Sequence, residues 1–511
     1  MRSILCLFAI VFLTISCGKK DVNPNRNISM ADFASMRVDE FAIDTNRVND
    51  YLDILIRNDR DTLLTDYFTR KYYGRRGGLL WVSRNGLHDG ADTLLAYLRD
   101  IGKIGFSRKK FKTTLLEADM HRLRCLDFDT VNTINRVLAR LDYNLTKYYL
   151  RYTVGQRFGF FNPRIALNRI DLVDKERVTS GFRTLYDVQM DTPNRMFLQQ
   201  ALSKICNDSI PVFLREIQPS DTLYRRFLTM LNGPGLSAAY RSKVLVNMER
   251  RRWRTSLTPG MYEKYVLVNI PAFMLTAVDG CMTLNMRVGV GAFTTKTPLL
   301  NSNIYRMDLN PQWIIPKSII RESVLRHVGD SDYFARNNYF VRDRVSGKSV
   351  PLHLVTGDML LSPSYAVIQR GGDNNSLGRI IFRFANSFSV YLHDTSSPAF
   401  FRRANRAVSH GCVRVERPYE LAVFLLDDKD DPAKARIQYS MTARLVAEEG
   451  ASSPHDTLRR RMMIGTKTVA PAVPLFITYY TLYPDATGTL QEYADVYGYD
   501  AIIAYHLTNY R

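Results

Sequence analysis

The chain has 511 residues, of which 46% are hydrophobic and 11% aromatic, with a formal net charge of +20 and a pI near 9.6. This composition is ample for a packed core, so it excludes a disordered chain, and the length predicts two structural units. The positive charge predicts attraction to a polyanion such as nucleic acid, an acidic membrane or an anionic cell-wall polymer.

The first 20 residues have the layout of a secretory signal. An apolar run from Ile4 to Leu13 is about half of the ~20 residues that a spanning helix needs, and small residues follow it. The letters TISC, ending at Cys17, resemble a lipoprotein processing site, with plain cleavage and an uncleaved anchor as the alternatives. We therefore expect a periplasmic protein anchored to a membrane through lipidated Cys17. Export argues against nucleic acid and favours the bacterial wall as the anionic partner.

Six cysteines occur, at positions 6, 17, 125, 206, 281 and 412, and the first two belong to the signal region. The other four are scattered and contain no CxxC pair, so they do not resemble a disulfide framework or a structural zinc site. A bridge between Cys125 and Cys206 and buried free thiols are alternatives for these residues. Cys412 differs from the rest because of its neighbours.

Residues 21–28 form a polar spacer, and residues 30–255 are predicted to be a helical scaffold domain. Apolar residues recur at helical spacing and predict one buried stripe, at Val131, Ile134, Val137, Leu138 and Leu141. Further helices are predicted over 92–101, 223–231 and from Ser237 to about Arg251. The basic run from Arg250 to Arg254 is interpreted as a solvated helix end, where cations favour the dipole, with a polyanion patch as the alternative.

Residues 260–505 are predicted to be mainly β structure, because their apolar runs are rich in β-branched residues. Strands are predicted at 265–278 and 281–291, joined by the turn Asp279-Gly280, and at 379–384, 387–393, 412–415 and 474–483. A helix is predicted from Pro418. Residues 311–375 are less regular and too long for a plain connection, and they predict a small insert or cap. The fold class is therefore α+β, with a mainly β domain, sandwich-like or barrel-like with one or two helices, after a helical N-terminal domain.

Residues 409–415 read SHGCVRV and place a cysteine between histidine, glycine and arginine. Free cysteine titrates near ~8.5, so a nucleophilic role needs a base or cation nearby. His393 ends the predicted strand SFSVYLH, and it faces Cys412 if CVRV is the neighbouring strand and residues 394–408 connect the two. His393 then serves as general base and acid, and the amides of Gly411 and Cys412 stabilise an oxyanion.

Three alternatives compete with this interpretation. Two histidines and a cysteine could bind zinc, although the spacing is awkward and no fourth ligand is evident. The SHGC segment could be a tight turn without chemistry. His393 could be structural, which would leave His410 as the base.

The sequence here resembles the YkuD-type L,D-transpeptidases, whose signature is a histidine, a loop, and then Ser/Thr-His-Gly-Cys. Longer segments are similar to the large, periplasmic YcbB-like subfamily, among them VNIPAFML, LNPQWIIPKSI and GRIIFRFANSFSVYLHDT. This resemblance covers roughly residues 260–505 strongly and the N-terminal half weakly. It implies that residues 315–377 form a capping insert over the cleft. The peptidoglycan-binding module of large members has no visible pattern here.

The resemblance implies that Cys412 attacks the third residue of a peptidoglycan tetrapeptide stem, releases the terminal D-Ala and holds the stem as a thioester. The amine of a second stem then gives a 3→3 crosslink, without cofactor or metal, and water as the acceptor would give an L,D-carboxypeptidase. His393 matches the base, the carbonyl of Asp394 orients it, and His410 lies on the oxyanion side. Ser409 and Arg414 match substrate-contacting positions. A catalytically inert wall-binding scaffold lipoprotein is the alternative; papain-like and NlpC-type peptidases place cysteine before histidine, the reverse of this order.

Residues 394–408 add three arginines, Arg402, Arg403 and Arg406, in the loop that passes beside the thiol. Stem peptides present carboxylates. The hypothesis is that these arginines steer the anionic donor and favour the thiolate, and a solvated basic loop is the alternative.

Overall fold

A computed structural model describes residues 42–83, 86–173, 181–428, 431–443 and 459–511. The predicted signal, the spacer and Cys17 lie outside these ranges. The chain forms two compact units: residues up to Arg157 with Pro193–Pro219 and Asn509–Arg511, and Phe158–Thr192 with Ser220–Thr508. The sequence predicted a single division near residues 255–260, whereas the chain passes between the units several times. Helical residues between 220 and 255 therefore belong to the unit that carries the β structure.

Helices fill the N-terminal half and recur sparsely after it. In chain order they are α1 Thr45–Asn58, α2 Leu64–Gly74, α3 Gly90–Arg99, α4 Thr113–Cys125, α5 Ile134–Phe158, α6 Pro163–Leu167, α7 Arg195–Cys206, α8 Ile210–Glu216, α9 Thr222–Leu231, α10 Ala238–Arg252, α11 Lys317–Ile319, α12 Ser331–Arg336, α13 Gly357–Leu361, α14 Pro418–Phe424, α15 Ala433–Thr442 and α16 Tyr499–Leu507. Within the described ranges, none of these helices combines the length and the apolarity that a membrane span needs.

Strands concentrate after residue 260. They are β1 Val82–Ser83, β2 Gly86–Leu87, β3 Tyr186–Asp187, β4 Lys264–Asn269, β5 Met274–Asp279, β6 Met282–Gly291, β7 Leu299–Leu309, β8 Trp313–Ile314, β9 Tyr339–Asp343, β10 Ser349–Val350, β11 Tyr365–Gln369, β12 Ile380–Phe384, β13 Leu392–His393, β14 Ala407–Ser409, β15 Val413–Val415, β16 Thr466–Thr478, β17 Leu482–Pro484 and β18 Leu490–Glu492. This distribution confirms the predicted fold class, a helical N-terminal region followed by a β-rich C-terminal region.

The predicted helical stripe lies on α5. Ile134, Val137, Leu138 and Leu141 are all fully buried, whereas Val131 precedes the helix and is 61% exposed. The spacing therefore identified the helix correctly and placed its start too early, because the first residue of the pattern lies in the preceding turn.

The main sheet closes on itself. Its strands follow the order β12-β13-β15-β6-β5-β4-β16-β7, and β7 pairs back to β12, so a barrel forms with β3 and β14 added at its rim. Alternate residues point inward and form the core, among them Val266, Val288, Val290, Leu392, Val413 and Leu475, each at 0% exposure. The intervening residues point to the outer face of the barrel.

Two sequence predictions for strands need correction. The run predicted as one strand, 265–278, is two antiparallel strands, β4 and β5, because the chain reverses around Pro271, which has no N–H to donate to a ladder. The predicted strand 387–393 is a strand only at Leu392 and His393. Before them, the Asn386 side-chain oxygen accepts hydrogen bonds from the amides of Phe388 and Val390 and holds a turn.

The arginine run at the end of α10 also differs from its interpretation as a solvated helix end. Arg252 is 1% exposed and its guanidinium lies 3.0 Å from the Glu249 carboxylate. Arg251 forms a bidentate pair with Asp221, the N-cap residue of α9. Arg251 therefore links α10 to the start of α9, and Arg252 forms a buried ion pair within α10.

Residues between β7 and β12 fold as a separate small sheet, and we call residues 313–369 the insert. Its strand order is β10-β9-β11-β8, and it has its own hydrophobic core, formed by Ile315, Ile320, Val324, Phe334, Val341, Val355, Leu360 and Val367. After α11 the chain continues as a π-helical segment, Ile320–Val324. This segment includes Glu322, whose carboxylate contacts His410 of the SHGC segment.

Candidate active site

Two short strands bring the predicted nucleophile and base together. Strand β13 pairs in parallel with β15, with Leu392 opposite Val413 and His393 opposite Arg414. Since side chains alternate along a strand, Cys412 and Arg414 lie on the same face of the pair as His393. That face is the outer one, because Leu392 and Val413 point into the barrel core. The parallel register thus places the thiol, the imidazole and the guanidinium side by side.

His393 is held in one orientation by the backbone beside it. Its Nδ1 lies 2.5 Å from the carbonyl oxygen of Asp394, and a carbonyl only accepts, so Nδ1 carries the proton. The lone pair is therefore on Nε2, which is the nitrogen that a general base uses. Burial, at 3% exposure, and the Arg414 charge lower the pKa of His393 to about 4. The imidazole is consequently neutral at pH 7 and able to accept a proton.

The Asp394 carbonyl is itself fixed by a tight turn in front of β12. The Asp394 carboxylate accepts a hydrogen bond of 2.8 Å from the Arg379 amide. Gly378 has a φ of +64°, and a Cβ there would lie 2.5 Å from the Asp394 side chain. Glycine is therefore required on both conformational and steric grounds. The predicted orienting role of Asp394 matches this geometry.

Cys412 is half-buried beside the positive charge. Its Sγ lies 3.8 Å from the carbonyl oxygen of Ser389, a residue with a φ of +53°. Burial raises the pKa of the thiol, while a hydrogen bond from the Tyr391 backbone and the Arg414 guanidinium act in the opposite direction. The resting pair is thus a neutral thiol next to a neutral imidazole. Such a pair suits general-base activation during attack, not a preformed thiolate.

Arg414 supplies the charge that both partners experience. Its guanidinium lies 5.4 Å from the centre of the Phe400 ring, and its buried Nε has no hydrogen-bond partner among the described residues. The charge favours a thiolate on Cys412 and disfavours a charged imidazole on His393. Proton transfer from Cys412 to His393 creates a thiolate, which the Arg414 charge stabilises, and an imidazolium, which the same charge destabilises. Arg414 therefore assists the transfer only if the first effect is the larger.

The hydrogen bonds of the SHGC loop differ from two predicted roles, those of Ser409 and Gly411. Ser409 is buried, and its Oγ donates to the Cys412 carbonyl at 2.5 Å and accepts from the Gly411 amide at 3.1 Å. The Gly411 amide, predicted as an oxyanion donor, is therefore occupied inside the loop, and Ser409 holds the loop instead of facing a substrate. The Cys412 amide has no protein acceptor within the described chain. The Cys412 amide therefore remains available for an oxyanion.

A second support for this loop was missed in the sequence. Thr297 Oγ1 donates to the Gly411 carbonyl and accepts from the Gly291 amide, both at 2.8 Å. Tyr497, from the C-terminal region, donates its hydroxyl to the Gly291 carbonyl at 2.7 Å and accepts from the Thr297 amide. Thr295 Oγ1 donates to the Ser409 carbonyl at 2.8 Å. Sequence patterns predict no role for Thr295, Thr297 or Tyr497.

His410 contacts the insert. Its Nε2 lies 3.3 Å from a carboxylate oxygen of Glu322 in the insert, and its side chain is 47% exposed. No described contact joins its ring to Cys412 or His393, so its predicted place on the oxyanion side stays a prediction.

The three arginines of the connecting loop differ in exposure and in hydrogen bonding. Arg402 and Arg403 are exposed. Arg406 is half-buried, and its guanidinium donates to the carbonyls of Val288, Arg403 and Phe273 at 2.7–3.2 Å. Arg406 therefore anchors the loop to the barrel, which removes it from the predicted steering group and leaves Arg402 and Arg403.

The remaining cysteines take no part in the site. Cys125, Cys206 and Cys281 are free and exposed, so neither the predicted bridge between Cys125 and Cys206 nor burial of these thiols is found. Among the described residues, no group of three or more His, Cys, Asp or Glu side chains is arranged to hold a metal ion.

Fold and site together define a protein whose predicted nucleophile, Cys412, and predicted base, His393, lie on the outer face of a closed β barrel. Residues 263–437 match the family described as the L,D-transpeptidase catalytic domain, YkuD, and residues 66–231 match the Scaffold domain. Residues 263–437 therefore form a YkuD L,D-transpeptidase catalytic domain and residues 66–231 a Scaffold domain, the combination that the YcbB-like architecture has.

Two relatives accompany these matches. A Haemophilus influenzae protein named "Putative L,D-transpeptidase" is 28% identical over 321 residues, which are 61% of this chain. The match spans 60% of that relative's own length. A solved L,D-transpeptidase from Mycobacterium smegmatis is 13% identical over 42% of this chain and 58% of its own, with a TM-score of 0.19.

Proposed function

We propose that this chain is an L,D-transpeptidase that acts on peptidoglycan stem peptides through a thioester on Cys412. The observation that carries the proposal is the register of β13 and β15, which puts Cys412, His393 and Arg414 on one face. Membership of the YkuD family and the name of the Haemophilus influenzae relative support the same reaction class.

In the first half-reaction the Cys412 thiol gives its proton to Nε2 of His393 as sulfur attacks the carbonyl of the third stem residue. The oxyanion is stabilised by the Cys412 amide, whose hydrogen is not used within the described chain. Collapse breaks the peptide bond to the terminal D-Ala, and the leaving amine takes the proton from His393. The stem then remains as a thioester.

In the second half-reaction an amine of another stem attacks the thioester carbonyl. The new C–N bond forms, the C–S bond breaks, and the thiolate is reprotonated through His393. The product is a 3→3 crosslink. We further propose that the protein acts in the periplasm, attached to a membrane through lipidated Cys17, where its charge of +20 favours an anionic wall.

Disaccharide-tetrapeptide muropeptides digested with the purified protein and separated by mass test the proposal. The expected products are free D-Ala and dimers joined between third residues, and both disappear with Cys412→Ala. Tripeptides without dimers would instead indicate an L,D-carboxypeptidase. Unchanged muropeptides would favour an inert wall-binding scaffold lipoprotein.

A further inference from the structure

A carboxylate of the insert lies at the edge of the cysteine loop. Glu322 belongs to the π-helical segment Ile320–Val324, and its Oε2 is 3.3 Å from Nε2 of His410, two residues before Cys412. π-Helical turns are rare and often occur at functional positions. The Glu322 side chain is 66% exposed, so a ligand in solution can reach it.

The charges around Glu322 are otherwise positive. Its segment, KSIIRESVLRH, contains Lys317, Arg321 and Arg326 as nearest charged neighbours in sequence, yet the carboxylate contacts the His410 imidazole. Its second oxygen has no partner among the described contacts. A negative group with an unused acceptor thus contacts the residue two positions before Cys412, while Arg414 supplies positive charge opposite His393.

The second half-reaction needs such a group. A primary amine is mostly an ammonium at neutral pH, and it attacks only after it loses a proton. A carboxylate binds an ammonium through charge-assisted hydrogen bonds, and an adjacent imidazole is suited to receive the proton. Water, the competing acceptor, carries no charge and therefore lacks the ionic part of this attraction.

We propose that Glu322 and His410 form the binding site for the acceptor ammonium, an inference that rests on the proposed transpeptidase function. Glu322 holds the ammonium, which transfers one proton to His410 and becomes a neutral amine. The amine nitrogen then forms its bond to the thioester carbonyl carbon as the bond to sulfur breaks, and its second proton passes through His393 to the thiolate. The site thereby favours crosslinking over hydrolysis.

Partitioning of the acyl-enzyme tests this assignment. The full-length protein is acylated with a tetrapeptide stem, and the rate of thioester loss is measured by mass with three nucleophiles: a stem tripeptide with a cationic side-chain amine, hydroxylamine, which is uncharged at neutral pH, and water. In Glu322→Gln we expect the rate with the cationic amine to fall about tenfold, as for the loss of one charge-assisted hydrogen bond. The rates with hydroxylamine and water are expected to stay unchanged.

Two further variants complete the design. Glu322→Asp is expected to recover most of the rate with the cationic amine. Glu420→Gln removes another exposed carboxylate, paired with Arg417, and is expected to alter no rate. An unchanged rate with the cationic amine in Glu322→Gln, or an equal fall for all three nucleophiles, would overturn the inference while leaving the proposed function intact. Absence of any acyl-enzyme in the unmodified protein would overturn both.

Discussion

His393 and Arg414 lie directly opposite each other in the parallel pair of β13 and β15, with both side chains on the outer face of the barrel. This relationship keeps a positive charge beside a buried imidazole, so the imidazole resists protonation. The same charge acts on the thiol of Cys412, which lies two residues before Arg414 on the same face. The pair therefore sets the proton affinity of both groups that the proposed reaction uses.

The pH dependence of donor acylation follows from His393. A base must be neutral to accept a proton, and lowering its pKa to about 4 keeps it neutral as the pH falls. We expect kcat/KM for D-Ala release to stay level from pH 7 to about 5 and to be half lost near pH 4, compared with ~6.5 for an unperturbed histidine. Replacing Arg414 by Leu removes the positive charge and should move this acid limb to higher pH. An acid limb near 6.5 in the unmodified protein would contradict the neutral buried imidazole.

Gly411 tests the conformation of the cysteine loop. Its φ of +115° strains any residue with a Cβ, although a Cβ there would meet nothing closer than 3.7 Å. Gly411→Ala should therefore cost ~1–2 kcal/mol of folding free energy through backbone strain and should lower acylation by turning the Cys412 amide. The matched control is Gly260→Ala, where no atom lies within 4 Å and φ is ordinary. Denaturant unfolding and D-Ala release should separate the two variants.

Thr297 tests the support that the sequence did not reveal. Thr297→Val keeps the shape and removes the hydroxyl that joins Gly291 to Gly411, which should cost ~2–3 kcal/mol and slow acylation at least tenfold. Thr297→Ser retains the hydroxyl and should recover most of the rate. Equal acylation rates in the Val and Ser variants would show that the loop does not depend on this bond.

The arginines of the connecting loop should divide into two kinds. Arg406→Ala removes three hydrogen bonds to backbone carbonyls and should lower the free energy of unfolding by ~1.5–3 kcal/mol. The exposed pair, in Arg402→Ala/Arg403→Ala, should leave stability within ~0.5 kcal/mol and reduce the salt dependence of kcat/KM. If the salt dependence of the double variant equals that of the unmodified protein, Arg402 and Arg403 do not steer the anionic donor.

Local sequence patterns predicted several helices and the candidate site, because these features depend on interactions between residues that are close in sequence. The period of Ile134, Val137, Leu138 and Leu141 identified a helix, and Pro418 marked the first turn of α14. The SHGC motif and the preceding histidine predicted a nucleophile and a base, and the strand register brings these two residues to one face. These features depend on neighbours within a few residues.

Contacts between distant segments could not be predicted in the same way. Tyr497 reaches Gly291 across more than 200 residues, and no pattern near either residue records the bond. Arg252 looked solvated because its sequence neighbours are charged, whereas the Glu249 carboxylate and the Tyr224 hydroxyl allow its burial. Ser409 and Arg406 likewise belong to the scaffold of the loop, a distinction that residue type alone does not make.

The most direct test of the central claim is the intact mass of the protein after incubation with a carbapenem, an acylating analogue of the proposed donor. We expect a single adduct on the unmodified protein, none on Cys412→Ala, and an acylation rate lowered ~10²–10⁴-fold in His393→Gln, whose side chain cannot act as the base. Absence of an adduct on the unmodified protein, or an equal adduct on Cys412→Ala, would contradict the claim that the His393-assisted Cys412 is the nucleophile.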